Sequence, residues 1–310
     1  MKKYTKQTKV KTPLVSVVIP VFNGDSFIEQ TVNSVLKSTY KNFEIILVDD
    51  GSTDSSKDTC AKIAKQSKKV KFYSFKKNKG MDKALKLALS SANGKYIARI
   101  NQDDLMRPAR LQKQVSFLEK NKDHVAVGGY TKMFTKTNKN FDVIKFPLKD
   151  EEIKAVWMKL SPFADPAVMY RKSAYLKTKG YNQAMWPVDD VHMWYMLGKI
   201  GKLANLPVIL TDVRWHESAG SMKNHKIQMK KLLKVHIWAN KNVQKAKLSD
   251  WMFWFAQSLA GYTFGPKFNW AVYRLIKKIN YFLFKKALTK KYTKVTKLIK
   301  KPTIKSLSGV

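Results

Sequence analysis

The fold of this chain is decided by residues 15–54, VSVVIPVFNGDSFIEQTVNSVLKSTYKNFEIILVDDGSTD. An apolar, β-branched run at 14–20 predicts one strand, and a similar run at 43–50 predicts a second. Between the runs, apolar residues recur at helical spacing, at Phe27, Ile28, Val32, Val35 and Leu36. Ser26-x-x-Glu29 predicts a capping box that opens this helix. A strand, a helix and a strand in this order predict a right-handed crossover between parallel strands.

The same alternation continues to residue 100. Two further β-rich runs, at 70–75 and 95–100, each follow a segment whose apolar residues recur at helical spacing. It predicts the α/β fold class, with a mostly parallel, Rossmann-like sheet that is flanked by helices. Beyond residue 100 the pattern becomes less regular. Further strands are predicted at 125–134, 142–147, 167–171 and 207–213, and further helices at about 108–121, at about 150–159 and from Asp189. From Met222 onward only helices are predicted.

The composition of the 310 residues is that of a globular protein, with 44% hydrophobic and 26% charged residues. It excludes collagen-like, low-complexity and wholly disordered chains. The net charge is extreme, because 60 Lys and Arg stand against 22 Asp and Glu, which gives +38. So basic a chain favours a polyanionic partner such as nucleic acid, anionic lipid or a phosphorylated substrate. Cys60 is the only cysteine, which excludes an intrachain disulfide and favours a reducing compartment.

Three segments are predicted along the chain. Residues 1–12 form a flexible basic arm without the apolar segment of a secretory signal. Residues 13–222 form the α/β domain. Residues 223–310 form a basic helical extension, with 21 Lys and Arg and a single acid, Asp250. The longest strongly apolar run, 251–264, has 14 residues and is too short to span a bilayer.

A basic amphipathic helix is predicted inside the extension. Its apolar face consists of Phe268, Ala271, Val272, Leu275, Ile279, Phe282 and Leu283, and its basic residues elsewhere are Arg274, Lys277, Lys278 and Lys285. Two interpretations remain open. The helix is either a solvated lysine face or an element that adsorbs to an anionic membrane surface. The second interpretation predicts a cytoplasmic protein that is peripheral on the inner face of the plasma membrane.

Polar or turn-forming residues follow each of the first four predicted strands. These are Pro20-Val21-Phe22-Asn23-Gly24, Asp49-Asp50-Gly51-Ser52, Asn78-Lys79-Gly80 and Asn101-Gln102-Asp103-Asp104. Ligands of parallel α/β sheets bind at the carboxyl ends of the strands. The sequence therefore predicts that these four segments, at the tips of the strands, share one crevice.

Two acidic pairs stand at these tips. Two neighbouring carboxylates raise each other's pKa unless a cation or hydrogen bonds stabilise their negative charge. Asp103 and Asp104 are hard oxygen ligands without a nearby Cys or His, which suits Mg²⁺ or Mn²⁺; the alternative is a solvated turn or helix cap. Asp49 and Asp50 either form a turn with an N-cap, or accept a hydrogen bond from a pyrimidine imide or a ribose hydroxyl.

Five ordered blocks between about Pro13 and Met222, two thirds of the chain, resemble the motifs of the family 2 glycosyltransferases. They are the run from Val15 to Ser56, NKGMDKALKLAL (78–89), ARINQDDLMRPARLQKQ (98–114), DPAVMYRKSAYLKTKGYN (165–182) and VDDVHMWYMLGKIGKLANLPVILTDVRWHESAGS (188–221). The resemblance implies a GT-A fold, a nucleotide-sugar donor, with a UDP-sugar favoured, a divalent metal and inversion at the anomeric carbon. It divides the domain into a nucleotide-sugar-binding half at 13–115 and an acceptor half at 116–222.

The resemblance also implies roles for single residues. The donor-binding residues it implies are Pro20, Val21, Phe22, Asn23, Asp49, Asp50, Asn78, Gly80, Asn101, Gln102, Arg214 and His216. Among these, Asp50 is favoured as the contact to the base, and Arg214 and His216 as the groups that hold the diphosphate. Asp103, with Asp104 beside it, binds Mn²⁺ or Mg²⁺. Asp190 resembles the catalytic base, and Asp189 precedes it in the acidic pair.

The chain departs from the family pattern at four positions. Asn101 replaces the first carboxylate of the usual Asp-x-Asp-Asp, which puts metal affinity in question more than metal use. Lys86 replaces an Asn, Asp165 replaces a His, and Asp189 replaces a Glu.

The sequence thus predicts an inverting, metal-dependent glycosyltransferase. It would move a sugar to a hydroxyl of a glycan or lipid-linked acceptor in the synthesis of a surface polysaccharide or glycolipid. Trp186, Trp194 and Trp215 are candidates for an acceptor platform, with core packing as the alternative. One alternative function is that of a catalytically weak or dead relative that binds or scaffolds. Another is a nucleic-acid-binding protein, but the chain has no helix-turn-helix, zinc-finger or RNP signature, so no nucleic-acid partner is expected.

Overall fold

The computed structural model describes residues 12–138, 142–217 and 219–299, with side chains to residue 276 except those of Ser221, Tyr262, Trp270 and Tyr273. Apart from Thr12, the predicted basic arm at 1–12 lies outside the described residues. The same holds for the side chains of the C-terminal part of the predicted amphipathic helix, from Lys277 onward.

The first four strands form a parallel sheet with three crossover helices. In chain order the elements are β1 (Val15–Val21), α1 (Asp25–Leu36), β2 (Phe43–Asp49), α2 (Ser56–Gln66), β3 (Val70–Ser74), α3 (Met81–Ser90) and β4 (Tyr96–Arg99). The strands lie in the order β3-β2-β1-β4, and every neighbouring pair is parallel. The predicted strand–helix alternation is confirmed for this part of the chain.

The sheet continues with strands of mixed direction. The elements are β5 (Leu105–Met106), α4 (Arg110–Lys120), β6 (His124–Phe134), β7 (Asp142–Ile144), α5 (Asp150–Val156), β8 (Met169–Arg171), α6 (Lys172–Leu176), α7 (Asp189–Ile200) and β9 (Lys202–Arg214). Strand β8 is antiparallel to both β4 and β6, β6 is parallel to β9, and β5 and β7 pair antiparallel at the margins. Beyond β4 the sheet is therefore mixed, which the sequence did not predict, because apolar alternation marks a strand without encoding its direction.

The start of α1 differs from the predicted capping box. The helix begins at Asp25 after Gly24, and no side chain caps it. The carbonyl of Gly24 accepts the N–H groups of Phe27 and Ile28 at 2.9 and 3.0 Å. Ser26 therefore lies inside the first turn, where it cannot act as the N-cap, and Asp25 supplies the negative charge that the helix N-terminus favours.

Apolar side chains cover both faces of the sheet. Val17 and Ile19 of β1 pack on the side of α1, α2 and α4, whereas Val18 packs on the side of α3, α5 and α7. The C-terminal helices α8 (Gly220–Lys223), α9 (His225–Asn242) and α10 (Leu248–Ile299) follow β9. Val235 of α9 and Trp254 of α10 belong to the same core cluster as Val18, so these helices are packed on the domain.

Helix α10 changes direction at Gly265, whose φ of 75° is non-helical, and Pro266 follows it. After this bend Phe268 and Leu275 of the predicted apolar face are exposed, while Arg274 pairs with Asp142 of β7 at 2.5 Å. Among the helices in the described part of the chain, none combines the length and the apolar character needed to cross a bilayer.

Candidate active site

The loops after β1 and β2 are joined by hydrogen bonds. The side-chain oxygen of Asn23 accepts the N–H of Thr53 at 2.8 Å, and the N–H of Asn23 donates to the Ser52 hydroxyl at 2.9 Å. Asn23 has a φ of 49°, in the left-handed region that Asn tolerates better than most residues. Pro20 and Val21, predicted donor contacts, are buried within β1. The crevice border is therefore formed by the loop beyond them.

Gln102 lies beneath this loop. Its amide oxygen accepts the N–H of Phe22 at 2.7 Å, and its amide nitrogen donates to the Phe22 carbonyl at 3.0 Å. A Cβ on Gly24 would lie 2.5 Å from the Gln102 amide carbon, so a side chain at position 24 would displace Gln102. The amide of Gln102, predicted to bind the donor, is used here to hold Phe22, whose ring is exposed at the border.

Asp50 fixes the loop between β3 and α3. Its two carboxylate oxygens accept the N–H groups of Lys79 and Gly80 at 2.8 and 2.9 Å. Burial raises the pKa of Asp50, the two N–H groups oppose this effect, and the charge of Asp49 adds to it. The hydrogen bonds bring Asn78 and Gly80, both predicted near the nucleotide, beside the tip of β2.

The turn after Asp49 is closely packed. Asp49 is buried and accepts hydrogen bonds from the Ser52 N–H and from the Ser74 hydroxyl at 3.1 Å. Gly51 has a φ of 69°, and a Cβ there would lie 2.3 Å from the carbonyl carbon of Lys77. Glycine is therefore required at this position for both its conformation and its size.

Asp104 is buried and bonded to two protein groups, and its role as a metal ligand stays a prediction. It is 1% exposed, and its oxygens accept hydrogen bonds from the Arg214 N–H at 2.9 Å and from the Asn101 side-chain amide at 3.1 Å. Burial and the neighbouring Asp103 raise the pKa of Asp104 well above its usual range. Both carboxylate oxygens of Asp104 accept hydrogen bonds from protein groups, and the bond from Arg214 fixes the end of β9.

Asp103 and His216 present a better pair of donors. The Asp103 carboxylate oxygen lies 2.9 Å from Nε2 of His216, and both side chains are partly exposed. Two adjacent ligands of an octahedral Mg²⁺ ion lie about 3 Å apart, so the pair fits one edge of such a site. Among the described residues, no three His, Cys, Asp or Glu side chains form a metal-binding group. The donor set therefore fits an ion whose other ligands are water and phosphate oxygens.

Arg214 lies between two aromatic rings beside this pair. Its guanidinium carbon is 4.8 Å from the ring centre of Phe27 and 4.6 Å from that of Phe134. Its Nε donates to the Asp103 carbonyl and its Nη2 to the Gln30 side chain, both at 3.0 Å. Burial lowers the pKa of Arg214, an effect that the nearby carboxylates oppose. The guanidinium thus orders the loop around Asp103, and its contact with a diphosphate stays a prediction.

Asp189 and Asp190 form the first turn of α7. Val188 precedes them, and no side chain caps the helix. Burial raises the pKa of Asp189 to about 6. Burial, then the charges of Asp165 and Asp189, raise the pKa of Asp190 still more strongly. A carboxylate whose pKa approaches neutrality is suited to accept a proton from a hydroxyl.

Asp165 belongs to a buried ion pair that the sequence did not predict. Arg99, at the end of β4, donates to the Asp165 carboxylate at 2.5 Å, and the two side chains are 4% and 15% exposed. Within the described residues, the Arg99 Nε and Nη1 and the second Asp165 oxygen are buried without a hydrogen-bond partner. Buried polar atoms of this kind are rare and costly. The only sequence signal was an arginine inside the apolar run at 95–100.

The carboxylates of the crevice act on one another across the edge of the sheet. The charge of Asp82, in the first turn of α3, raises the pKa of both Asp50 and Asp189. The charge of Asp165 raises the pKa of Asp104 and of the second carboxylate of α7. Asp82 and Asp165 are therefore each close enough to two of these carboxylates to perturb their pKa values.

Of the three tryptophans considered for an acceptor platform, only Trp194 is buried, and a role for the partly exposed Trp186 and Trp215 stays a prediction. Trp194 is completely buried and packs edge-on against Phe163 at 5.3 Å. Trp215 packs against a small cluster that contains Tyr130 and Met133. Trp194 is therefore a core residue.

Comparison with known proteins gives the same family at each level. The sequence profile described as Glycosyl transferase family 2 matches residues 16–178. A protein of Haemophilus influenzae named as an uncharacterized glycosyltransferase is 31% identical over 223 residues, which are 69% of each chain. The putative glycosyltransferase EpsE of Bacillus subtilis is 36% identical over 189 residues, 59% of this chain and 66% of that protein. The chain thus spans about two thirds of the length of these relatives.

Two solved structures share the fold. The crystal structure of S. aureus TarS 1–349 in complex with UDP-GlcNAc has a TM-score of 0.59 at 17% identity, over 81% of this chain and 73% of that one. The mannosyltransferase PcManGT from Pyrobaculum calidifontis in complex with GDP-Man and Mn²⁺ has a TM-score of 0.59 at 17% identity, over 90% and 87%. At this identity the likeness shows the fold alone, and it confirms the predicted GT-A arrangement.

Proposed function

Because the chain belongs to glycosyltransferase family 2, we propose that it is an inverting, metal-dependent transferase that uses a nucleotide-sugar donor. The acceptor is a hydroxyl of a glycan or of a lipid-linked sugar. One observation carries the proposal. Asp103 and His216 lie 2.9 Å apart, and the charge of Asp165 acts on both Asp104 and Asp190, which supports a crevice shared by the cation site and the base.

The donor base is proposed to bind between Phe22 and Asp50. The Phe22 ring is exposed at the border, and Gln102 fixes the backbone that carries it, so the ring offers an apolar edge to the base. Each oxygen of a carboxylate has two acceptor sites, so Asp50 can accept a uracil imide N–H while it keeps the N–H groups of the β3–α3 loop. A UDP-sugar is favoured for this reason.

Asp103 and His216 are proposed to hold Mn²⁺ or Mg²⁺. When bound, such an ion neutralises the charge that develops on the departing diphosphate. Arg214 fixes the Asp103 loop and adds a positive charge beside the same group. Asn101 donates to Asp104, where a carboxylate at position 101 would place a further negative charge against a buried one.

Asp190 is proposed as the base. It accepts the proton of the acceptor hydroxyl while the hydroxyl oxygen bonds to the anomeric carbon and the bond to the diphosphate breaks on the opposite face. A positioned base of this kind contributes roughly 10² to 10⁴ in rate. Asp189 and Asp165 keep the pKa of this base raised, and Arg99 limits the effect by its positive charge.

The proposed location is the inner face of the plasma membrane. The proposed process is the synthesis of a surface polysaccharide or glycolipid. The proposed helical extension at 223–310, which follows a catalytic domain at 13–222, supports this location. Its 21 Lys and Arg stand against one acid, and anionic lipid attracts such a segment.

The test is a calorimetric titration with a panel of nucleotide sugars, with and without Mn²⁺, followed by a transfer assay with the sugar that binds. We expect one donor to bind only when the ion is present. In Asp103→Asn, the addition of Mn²⁺ should no longer increase the affinity for this donor. Asp123→Asn is the matched control, because Asp123 also contacts a histidine, His124, at 2.8 Å, away from the crevice. Equal donor affinity with and without Mn²⁺ in the wild type would refute the metal proposal.

A further inference from the structure

The first half of α10 carries an apolar stripe that is exposed among the residues the structure describes. Leu248, Met252, Phe255 and Leu259 are 77%, 65%, 68% and 72% exposed. They follow one another at intervals of four, three and four residues, which places them on one face of the helix. These four residues, called the α10 stripe below, precede the bend at Gly265 and lie outside the amphipathic face predicted from the sequence.

The opposite face of the same helix is anchored to the domain. Trp254 is buried and its indole N–H donates to the Met158 carbonyl at 2.6 Å. Asp250 is also buried and pairs with Lys159 at 3.1 Å. One buried aromatic side chain and one ion pair therefore hold the helix in one orientation, with the stripe directed outward.

Four large apolar side chains in one row form a patch of the kind that soluble monomers rarely expose without a partner. Charge decides which partner fits. Residues 251–264 contain no charged side chain, and exposed Lys241, Lys245 and Lys247 stand immediately before the stripe. Two copies of the chain that met here would bring their lysines together, whereas an anionic lipid surface would neutralise them.

A basic groove lies at the end of α9, beside these lysines. It is an open depression of about 490 Å³ that is lined by Lys234, Lys241, Lys245 and Trp238, among others, and most of its accessible wall is apolar. The Trp238 ring lies 4.3 Å from that of His192, two residues after Asp190 on α7. Trp238 thus joins one wall of the groove to the helix that carries the proposed base.

We propose that the α10 stripe inserts into the interfacial region of an anionic bilayer while the groove at the end of α9 receives a lipid head-group phosphate. An interfacial helix of this kind lies in the membrane plane, with apolar side chains among the acyl chains and lysines at the head groups. The inference deepens the proposed membrane location. It is tested without donor or acceptor, so its failure is distinguishable from a failure of the proposed transfer reaction.

The experiment is flotation of the full chain with phosphatidylglycerol-containing vesicles and with pure phosphatidylcholine vesicles. We expect binding to the anionic vesicles, and a loss of roughly tenfold or more in the double variant Phe255→Ser with Leu259→Ser. Lys241→Gln with Lys245→Gln should weaken binding to the anionic vesicles only. The matched control is Leu176→Ser on α6, which removes a side chain that is also exposed and should leave binding unchanged.

A second measurement does not depend on the stability of those variants. Cys60 is buried, so Met252→Cys can be labelled selectively with an environment-sensitive fluorophore. A blue shift on addition of anionic vesicles is expected. The proposal is overturned if the label does not respond, or if the double variant floats like the wild type. It is also overturned if sedimentation shows that the stripe joins two copies and that its removal alters only the oligomeric state.

Discussion

The loops that are proposed to bind the donor and the end of α7 that is proposed to do the chemistry are built differently. In the donor loops, Asn23, Asp50 and Gln102 each give their polar side-chain atoms to backbone groups of a neighbouring loop. At the α7 end, Arg99 and Asp165 are buried with polar atoms that have no hydrogen-bond partner among the described residues. The first region is ordered by hydrogen bonds, whereas the second retains unfavourable buried charge.

The difference matters because the two tasks need different physics. A binding loop gains affinity when its donors and acceptors are already in place before the ligand arrives. A general base needs a pKa that burial and like charges have raised, which costs folding free energy. The contrast predicts that substitutions at the α7 end change the rate or the stability most, and that substitutions in the donor loops act mainly on local order.

The largest effect is expected from Asp190→Asn. Loss of the proposed base should reduce kcat by roughly 10² to 10⁴ at saturating donor. Because the pKa of Asp190 is raised in the folded chain, its ionisation destabilises the fold as the pH rises from about 4. The variant should therefore melt at the same or a higher temperature than the wild type at neutral pH. Full transfer activity in this variant would assign the proton to another group.

Arg99→Met should have the next largest effect, on stability. It leaves the Asp165 carboxylate buried without its partner, and such a loss costs about 3 to 5 kcal/mol. The control is Arg107→Met, because Arg107 is 41% exposed and pairs with Asp212 at the surface, where an ion pair contributes about 1 kcal/mol or less. Both values come from urea unfolding. Similar losses in the two variants would contradict the contrast between buried and exposed pairs.

A smaller effect is expected from Gly51→Ala in the donor region. The positive φ and the contact of 2.3 Å with the Lys77 carbonyl carbon should cost about 1 to 3 kcal/mol, and the disturbed turn should weaken donor binding. Thermal unfolding and calorimetric titration measure the two effects. Gly220→Ala provides the comparison, since a Cβ at Gly220 meets no atom within 4 Å. A Gly51 variant as stable as the Gly220 variant would show that the turn is not strained.

The smallest expected effect on activity is a shift of the pH profile in Asp165→Asn, a variant that also leaves Arg99 buried without its partner and should lose stability as Arg99→Met does. Asp190 must be ionised to accept a proton, so activity is lost as the pH falls through its raised pKa. Removing the charge of Asp165 lowers that pKa, and the acidic limb of kcat should move to lower pH. Asp212→Asn, from the exposed pair, should leave the limb in place. An unshifted limb in Asp165→Asn would mean that Asp165 has only a structural role.

The first hundred residues were predictable because their information is local. Alternating apolar runs and helical periods gave four strands and three helices in the observed order. The predicted capping box was wrong. The backbone of Gly24 fixes the N-terminus of α1 instead, and the Gly24 N–H donates to the Ser56 hydroxyl at the start of α2. The directions of β8 and β9 were likewise not encoded in any local pattern.

The candidate site was predictable as a set of residue types, but not as a set of contacts. The order of the motifs predicted the same metal-binding role for Asp103 and Asp104, and only the structure shows that the two side chains have different contacts. Asp104 accepts a hydrogen bond from Arg214, 110 positions away in the chain, while Asp103 faces His216. The importance of Asp165 was hidden for the same reason, since its partner Arg99 lies on another strand.

By itself, the sequence determined the α/β class, the family, the polar tips of the strands and the excess of positive charge, because periodicity, motif order and composition are properties of the chain. The tertiary structure alone decided which carboxylate oxygens are already bonded, which ion pair is buried, and which face of α10 remains uncovered. Hydrogen-bond partners and burial depend on residues far apart in sequence, and folding is what brings them together.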